Sequence, residues 1–178
     1  EVSIAVDPSD PERVVAASMD LEDGRLLLMA SADSGLNWHR TQIPVSPGAA
    51  YHADPMVDFD SRGRVFLAHI PVATGNHPVG IEVARALDGG RTWAPSVRLS
   101  RNYDRDDKVA LEVDDHESSP HRDAVYIAYV EFTHGDRAQK WPQQLGEKPG
   151  SYEALARPAG GDQVRLIEYS KSKKTWSP

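Results

Sequence analysis

The chain repeats itself. Three segments, Glu1–Ser18, Asp54–His69 and Asp107–Tyr129, each read as an apolar run, a polar turn and a second apolar run. An Asp closes the first run in every copy, as Asp7, Asp60 and Asp114, at spacings of 53 and 54 residues. After each turn comes a β-branched or aromatic stretch: Val14–Ala17, Val65–Ala68 and Val125–Ala128. Such runs, bounded by Asp, Pro, Ser and Gly, are strand and turn chemistry rather than helix. A repeat of this length is a supersecondary unit that cannot bury its apolar face alone, so the copies must stack. Without the repeat, 178 residues would pass for one ordinary domain.

A second element recurs downstream in each copy. It reads Ser31-Ala-Asp33-Ser-Gly35-Leu-Asn-Trp38, then Ala86-Leu-Asp88-Gly-Gly90-Arg-Thr-Trp93. A third form, at Ser170 to Trp176, has its Asp and Gly replaced by Ser172 and Lys174. Three of the four tryptophans close the pattern, which makes coincidence a poor explanation. An Asp at the start of a tight loop accepts backbone N–H groups across it, and the Gly supplies a positive φ. The Trp opens the returning strand and buries its ring under the turn or against a neighbour. The third turn, with Ser and Lys in the key places, is expected to be the loosest.

This pattern resembles the Asp-box, or bacterial neuraminidase repeat, of sialidase-like β-propellers. The resemblance covers essentially the whole chain and implies an all-β propeller of four-stranded antiparallel blades. About three blades are present, a partial six- or seven-bladed ring: blade 1 near 1–45, blade 2 near 53–100 and blade 3 near 106–178, with its last strand barely begun. Ser31, Asp33, Gly35, Trp38, Asp88, Gly90, Trp93, Ser170 and Trp176 are then structural turn and packing residues. Closed propellers need four to eight blades, so the partners implied are remaining blades of the same polypeptide or a second copy.

In such a blade, strands A and B are joined on the same face as the Asp-box turns, and the B–C loops and blade-to-blade links lie opposite. The B–C loops lengthen along the chain, near 19–24, 71–79 and 133–162, and long loops on a rigid scaffold carry function. The links supply a channel mouth lined by Tyr51, His52, Asp54, Tyr103, Arg105, Asp106 and Asp107. Asp54 and Asp107 are read as equivalent positions of successive repeats. Candidate catalytic residues are Asp54, Asp107, Tyr51, Arg105 and Glu131. Candidate ligand-binding residues are His52, Tyr103, Asp106, His77, His134 and Arg137. Acids, Tyr and Arg at a channel mouth suit sugar chemistry, or a channel-mouth calcium; no other cofactor is expected.

Sialidase chemistry needs an arginine cluster for the substrate carboxylate, a Tyr nucleophile with its Glu, and an Asp acid/base. The family's Arg-Ile-Pro motif is absent, the nearest string being Arg40 to Pro44. Two readings therefore stand: a module that binds glycan or protein ligands through the loop face, and a sialidase-like exo-glycosidase completed by blades or a subunit outside these residues. A net charge of −7 argues against nucleic acid, and no apolar stretch reaches the roughly 20 residues of a spanning helix. The absence of cysteine removes thiolate metal sites and a Cys nucleophile, and the seven histidines contain no H-E-x-x-H. The family resemblance implies a secreted or periplasmic protein.

Overall fold

In a computed structural model, the described residues are 1–100 and 106–131, with strands at Ala154–Ala156, Gln163–Ser170 and Thr175–Ser177. They form three antiparallel sheets in chain order, and no helix occurs among them. Sheet 1 is β1 (Val2–Val6), β2 (Val14–Met19), β3 (Leu26–Ser31) and β4 (His39–Thr41), each strand beside the next. Sheet 2 runs β5 (Tyr51–Phe59), β6 (Val65–Ala73), β8 (Glu82–Ala86) and β9 (Val97–Arg98), and the short β7 (His77–Pro78) folds back on β6. Sheet 3 joins β10 (Asp106–Val113), β11 (Val125–Glu131) and β13 (Gln163–Ser170), and both β12 (Ala154–Ala156) and β14 (Thr175–Ser177) pair with β13. The repeat period thus marks the sheets, while β7 and β12 had no repeated signature in the sequence.

Alternation explains how the sheets stack. Side chains of successive strand residues face opposite sides, so each sheet has two apolar faces to cover. Val15, Ala17, Leu26 and Leu28 of sheet 1 meet Val57, Phe59, Val65, Leu67 and Trp93 of sheet 2. The other face of sheet 2, including Phe66, Ile70 and Val83, meets Leu111, Val113, Ile127 and Tyr129 of sheet 3. The core is therefore two interleaved layers between three blades. The middle sheet is accordingly covered on both sides, and along β6 every residue from Val65 to Val72 is buried.

The recurring Asp is a clamp for the A–B turn. Asp7 accepts the Ser9 N–H and hydroxyl at 2.8 and 2.6 Å and pairs with Arg13 at 3.0 Å. Asp60 accepts the Arg62 and Arg64 N–H groups at 2.9 and 3.0 Å and also the Arg64 guanidinium. Asp114 takes the Ser119 hydroxyl at 2.5 Å. Asp7 and Asp60 are buried, a position that turn carboxylates tolerate because turn N–H groups and a paired arginine meet them.

The two described Trp turns share a bonding plan. Asp33 accepts the Asn37 N–H at 2.8 Å and its side-chain amide at 2.7 Å, and Ser31 Oγ accepts the Gly35 N–H at 2.9 Å. The Asn37 amide is the main reason the Asp33 carboxyl lies below its ordinary pKa. Asp88 accepts the Arg91 and Thr92 N–H groups at 3.0 and 2.9 Å and the Thr92 hydroxyl at 2.6 Å. Gly90, at φ 87°, lies against sheet 1: a Cβ there would stand 2.7 Å from Val15 Cγ2. Gly90→Ala is expected to cost about 2 kcal/mol from positive-φ strain and overlap together. Gly35→Ala, whose Cβ meets nothing nearer than Trp38 at 3.4 Å, carries the backbone strain alone. Urea unfolding of the two variants should rank them in that order. The third turn's key residues, 171–174, lie outside the described residues, as does its expected looseness.

Candidate functional site at the channel mouth

The innermost strands β5 and β10 each carry a bulge. The register of β5 against β6 slips between Ala53 and Met56, and that of β10 against β11 slips between Asp107 and Ala110. Inside each bulge one non-glycine residue has positive φ: Asp54 at 48° and Lys108 at 54°. Both stand six residues before the recurring Asp, and so does Glu1 in the first repeat. The equivalent positions are therefore Glu1, Asp54 and Lys108. The pairing of Asp54 with Asp107 expected from spacing is off by one, because the third repeat has one more residue between Asp107 and its turn Asp. Bulges re-aim side chains and recur beside functional sites, and strained backbone clusters there too.

The three equivalent side chains converge. Lys108 Nζ stands 3.0 Å from Glu1 Oε1, and the Glu1 and Asp54 carboxyls share a hydrogen bond. Burial, then the Glu1 bond and charge, with Asp107 adding to them, push the Asp54 carboxyl up to about 6, against the opposing pull of Lys108. Glu1 moves the other way, lowered chiefly by its hydrogen bond to Lys108. Two carboxyls of one cluster are thus driven apart, one toward holding a proton and one toward giving it up. Farther along β5, Asp58 is also raised to about 6, mainly by burial, although Val113 and Phe59 N–H groups bond it at 2.7 and 2.8 Å.

The other predicted residues are spread out. The Tyr51 hydroxyl is bonded to Asn76 at 3.0 Å, toward the β6–β7 turn. Asp107 lies beside the cluster and acts on Asp54 by its charge. Asp106 and Glu131 are paired across β10 and β11 and are both buried, with Asp106 accepting the Ser100 hydroxyl. His77 is exposed on β7. Arg105, Tyr103, His134 and Arg137 lie outside the described residues; Ser170 and Trp176 fall on β13 and β14. Among the described residues no three His, Asp, Glu or Cys side chains are arranged to hold a metal ion, and the Lys108 ammonium at the mouth opposes one.

His52, expected to meet ligand, is buried between sheets 1 and 2. Its ring stacks on His69 with centroids 4.9 Å apart and planes 13° apart. His69 Nε2 lies 3.1 Å from Ser96 Oγ, and the Nδ1 atoms of both rings have no hydrogen-bond partner. Burial, with the neighbouring His52 adding to it, lowers His69 to about 3; burial also lowers His52. Beside them on sheet 2, buried Glu82 takes both Arg98 Nε and Nη2 at 2.9 and 2.7 Å and the Ser46 hydroxyl at 2.5 Å. Removing Arg98 would leave that carboxylate unpaired, so Arg98→Met should cost about 3 kcal/mol, measurable by chemical denaturation. Glu82 carries no repeat signal, its counterpart on β3 being Leu27.

No protein-family model and no curated protein matches this sequence. Among solved structures, a thermostable family-43 glycoside hydrolase is similar with a TM-score of 0.56 and 10% identity, over 99% of this chain and 50% of that one. A protein of unknown function from Dyadobacter fermentans is similar with a TM-score of 0.58 and 13% identity, over 99% of this chain and 52% of that one. At such identities the likeness speaks for the fold alone. The chain has the β-propeller fold, and it spans about half the length of these structures.

Proposed function

We propose that the chain supplies three blades of a propeller that hydrolyses glycosidic bonds at its channel mouth, with Asp54 as the carboxyl that holds the transferable proton. The observation that carries this reading is the convergence of Glu1, Asp54 and Lys108, which leaves Asp54 near 6 beside an ionised carboxylate. Glycoside hydrolysis needs a carboxyl of raised pKa to protonate the leaving oxygen, and a second carboxylate about 5–10 Å away as base or nucleophile. Glu1, bonded directly to Asp54, is too close for the second role and instead tunes the Asp54 proton. In this reading the Trp turns are Asp-boxes, the protein is secreted or periplasmic, and the substrate enters from the loop face. The remaining catalytic groups, the second carboxylate among them, come from blades outside these residues or from a second copy.

A second reading, a glycan-binding module without turnover, is favoured by the burial of Glu131 and the engagement of Tyr51 by Asn76, which leave the sialidase-type set unassembled. The full polypeptide carrying these residues should be assayed on fluorogenic sialosides and a panel of other aryl glycosides, and on a glycan array. Turnover supports the hydrolase. Array binding without turnover supports the module, and a blank in both assays removes both readings.

A further inference from the structure

Sheet 2 carries an addition at the mouth that sheet 1 lacks. Its second strand, β6, has nine residues against six in β2, and the surplus runs into the hairpin that returns as β7. The loop between them, 74–76, turns through Gly75 at φ 89° and Asn76 at φ 63°. Register places Tyr51, Val72 and Pro78 in one row across β5, β6 and β7. The Tyr51 hydroxyl donates to Asn76 Oδ1 at 3.0 Å, so the added hairpin holds the phenol by its tip. Its ring packs on the apolar cluster that includes Phe66, Ile70 and Val72. From blade 1, Gly24 closes against it: a Cβ there would stand 2.8 Å from Tyr51 Cβ. The backbone is pinned on either side, by Ala50 N–H to the Val72 carbonyl at 2.7 Å and His52 N–H to the Gly24 carbonyl at 2.8 Å. Two blades thus fix one half-buried aromatic ring, three residues from Asp54.

We propose that Tyr51 is a sugar platform, a positioning residue whose uncovered ring surface stacks a sugar ring of the ligand beside Asp54. The proposal rests on the reading that the mouth takes glycans, whether or not it cleaves them. An amide oxygen is no base, so the bond to Asn76 orients the phenol without activating it as a nucleophile. What Tyr51 offers is area: a large, amphipathic surface with two side-chain torsions to fix. Asn76 and Gly24 fix them in advance, which removes ordering cost that a ligand would otherwise meet. The carbon-bound hydrogens on one face of a sugar ring suit that surface, while its hydroxyls suit the Glu1, Asp54 and Lys108 cluster. An aromatic wall with a few convergent polar groups is the usual composition of a small-ligand site. The β7 hairpin is then the device that aims the ring, as expected of an insertion on a rigid scaffold.

The test is saturation-transfer NMR of the full polypeptide carrying these residues. The probes are the methyl glycosides of glucose, galactose, xylose, arabinose and sialic acid. Tyr51→Leu should weaken binding of the probe that binds best by about tenfold or more, because the ring is gone. Tyr51→Phe and Asn76→Gly keep the ring and should each weaken it only about threefold. The double variant should be no worse than either, since both changes cut the same bond. Binding by folded Tyr51→Leu equal to that of wild type overturns the platform, and so does a wild type that binds none of the probes. If Tyr51→Leu does not fold, unchanged binding by Asn76→Gly overturns it instead. Turnover is read separately on aryl glycosides. Binding that depends on Tyr51 without turnover removes the hydrolase and leaves the platform, whereas turnover with binding indifferent to Tyr51 does the reverse.

Discussion

Asp54→Asn should abolish most glycoside turnover, lowering kcat/KM by about 10²–10⁴-fold, the usual worth of a general acid or base. The amide is nearly isosteric, so binding and fold should survive, and the loss should appear in kcat more than in KM. The pH profile supplies the independent check. With Asp54 raised to about 6, activity that needs its proton should fall as pH climbs through 6, and the variant's residual rate should lack that limb. Glu1→Gln should move the same limb to lower pH, because it removes the carboxylate that helps Asp54 keep its proton. Stability has its own sign. A carboxyl whose folded pKa exceeds its unfolded value of 3.8 stabilises the fold most below 3.8, and that contribution is lost as pH rises through about 6. The position is thus mildly costly to the fold at neutral pH, as expected of a group kept for chemistry.

The second large effect belongs to the stacked histidines. His69 is buried neutral, with a folded pKa of about 3 against an ordinary 6.5. Its contribution to stability is complete above 6.5 and is lost progressively as pH falls from 6.5 toward 3. At 1.36 kcal/mol per pH unit, that gap sets an upper bound of about 5 kcal/mol. The Asp54 and Asp58 carboxyls, both raised to about 6, act in the opposite direction over the same range. The histidine contribution is therefore read as a difference between two proteins: the urea midpoint of the wild type should fall relative to that of His69→Leu as pH goes from 7 to 4. Parallel pH dependences in the two proteins would show that the stack does not contribute.

How much of this could be read from the amino acids follows from which residues the backbone constrains. The hairpins were legible because Asp7, Asp60 and Asp114 must sit where their carboxylates can clamp a turn, and nothing else serves there as well. The Trp turns were legible for the same reason, through Asp33, Asp88 and the glycines of positive φ. The site was only half legible. Asp54 was found, but its partners were misassigned, because a bulge displaces the register by a residue and leaves no mark in hydrophobic alternation. Counting six residues back from each turn Asp would have found Glu1 and Lys108. His52 looked like a mouth residue because it neighbours Tyr51 and Asp54, yet alternation along β5 turns it inward onto His69. A histidine offers no sequence cue to its own burial.

The most direct measurement of the central claim is the titration of Asp54 itself, by carbon-detected NMR of the side-chain carboxyl in the full polypeptide. The account predicts an apparent midpoint near 6, shifting down in Glu1→Gln. A midpoint at the ordinary 3.8, unmoved by that substitution, would contradict it.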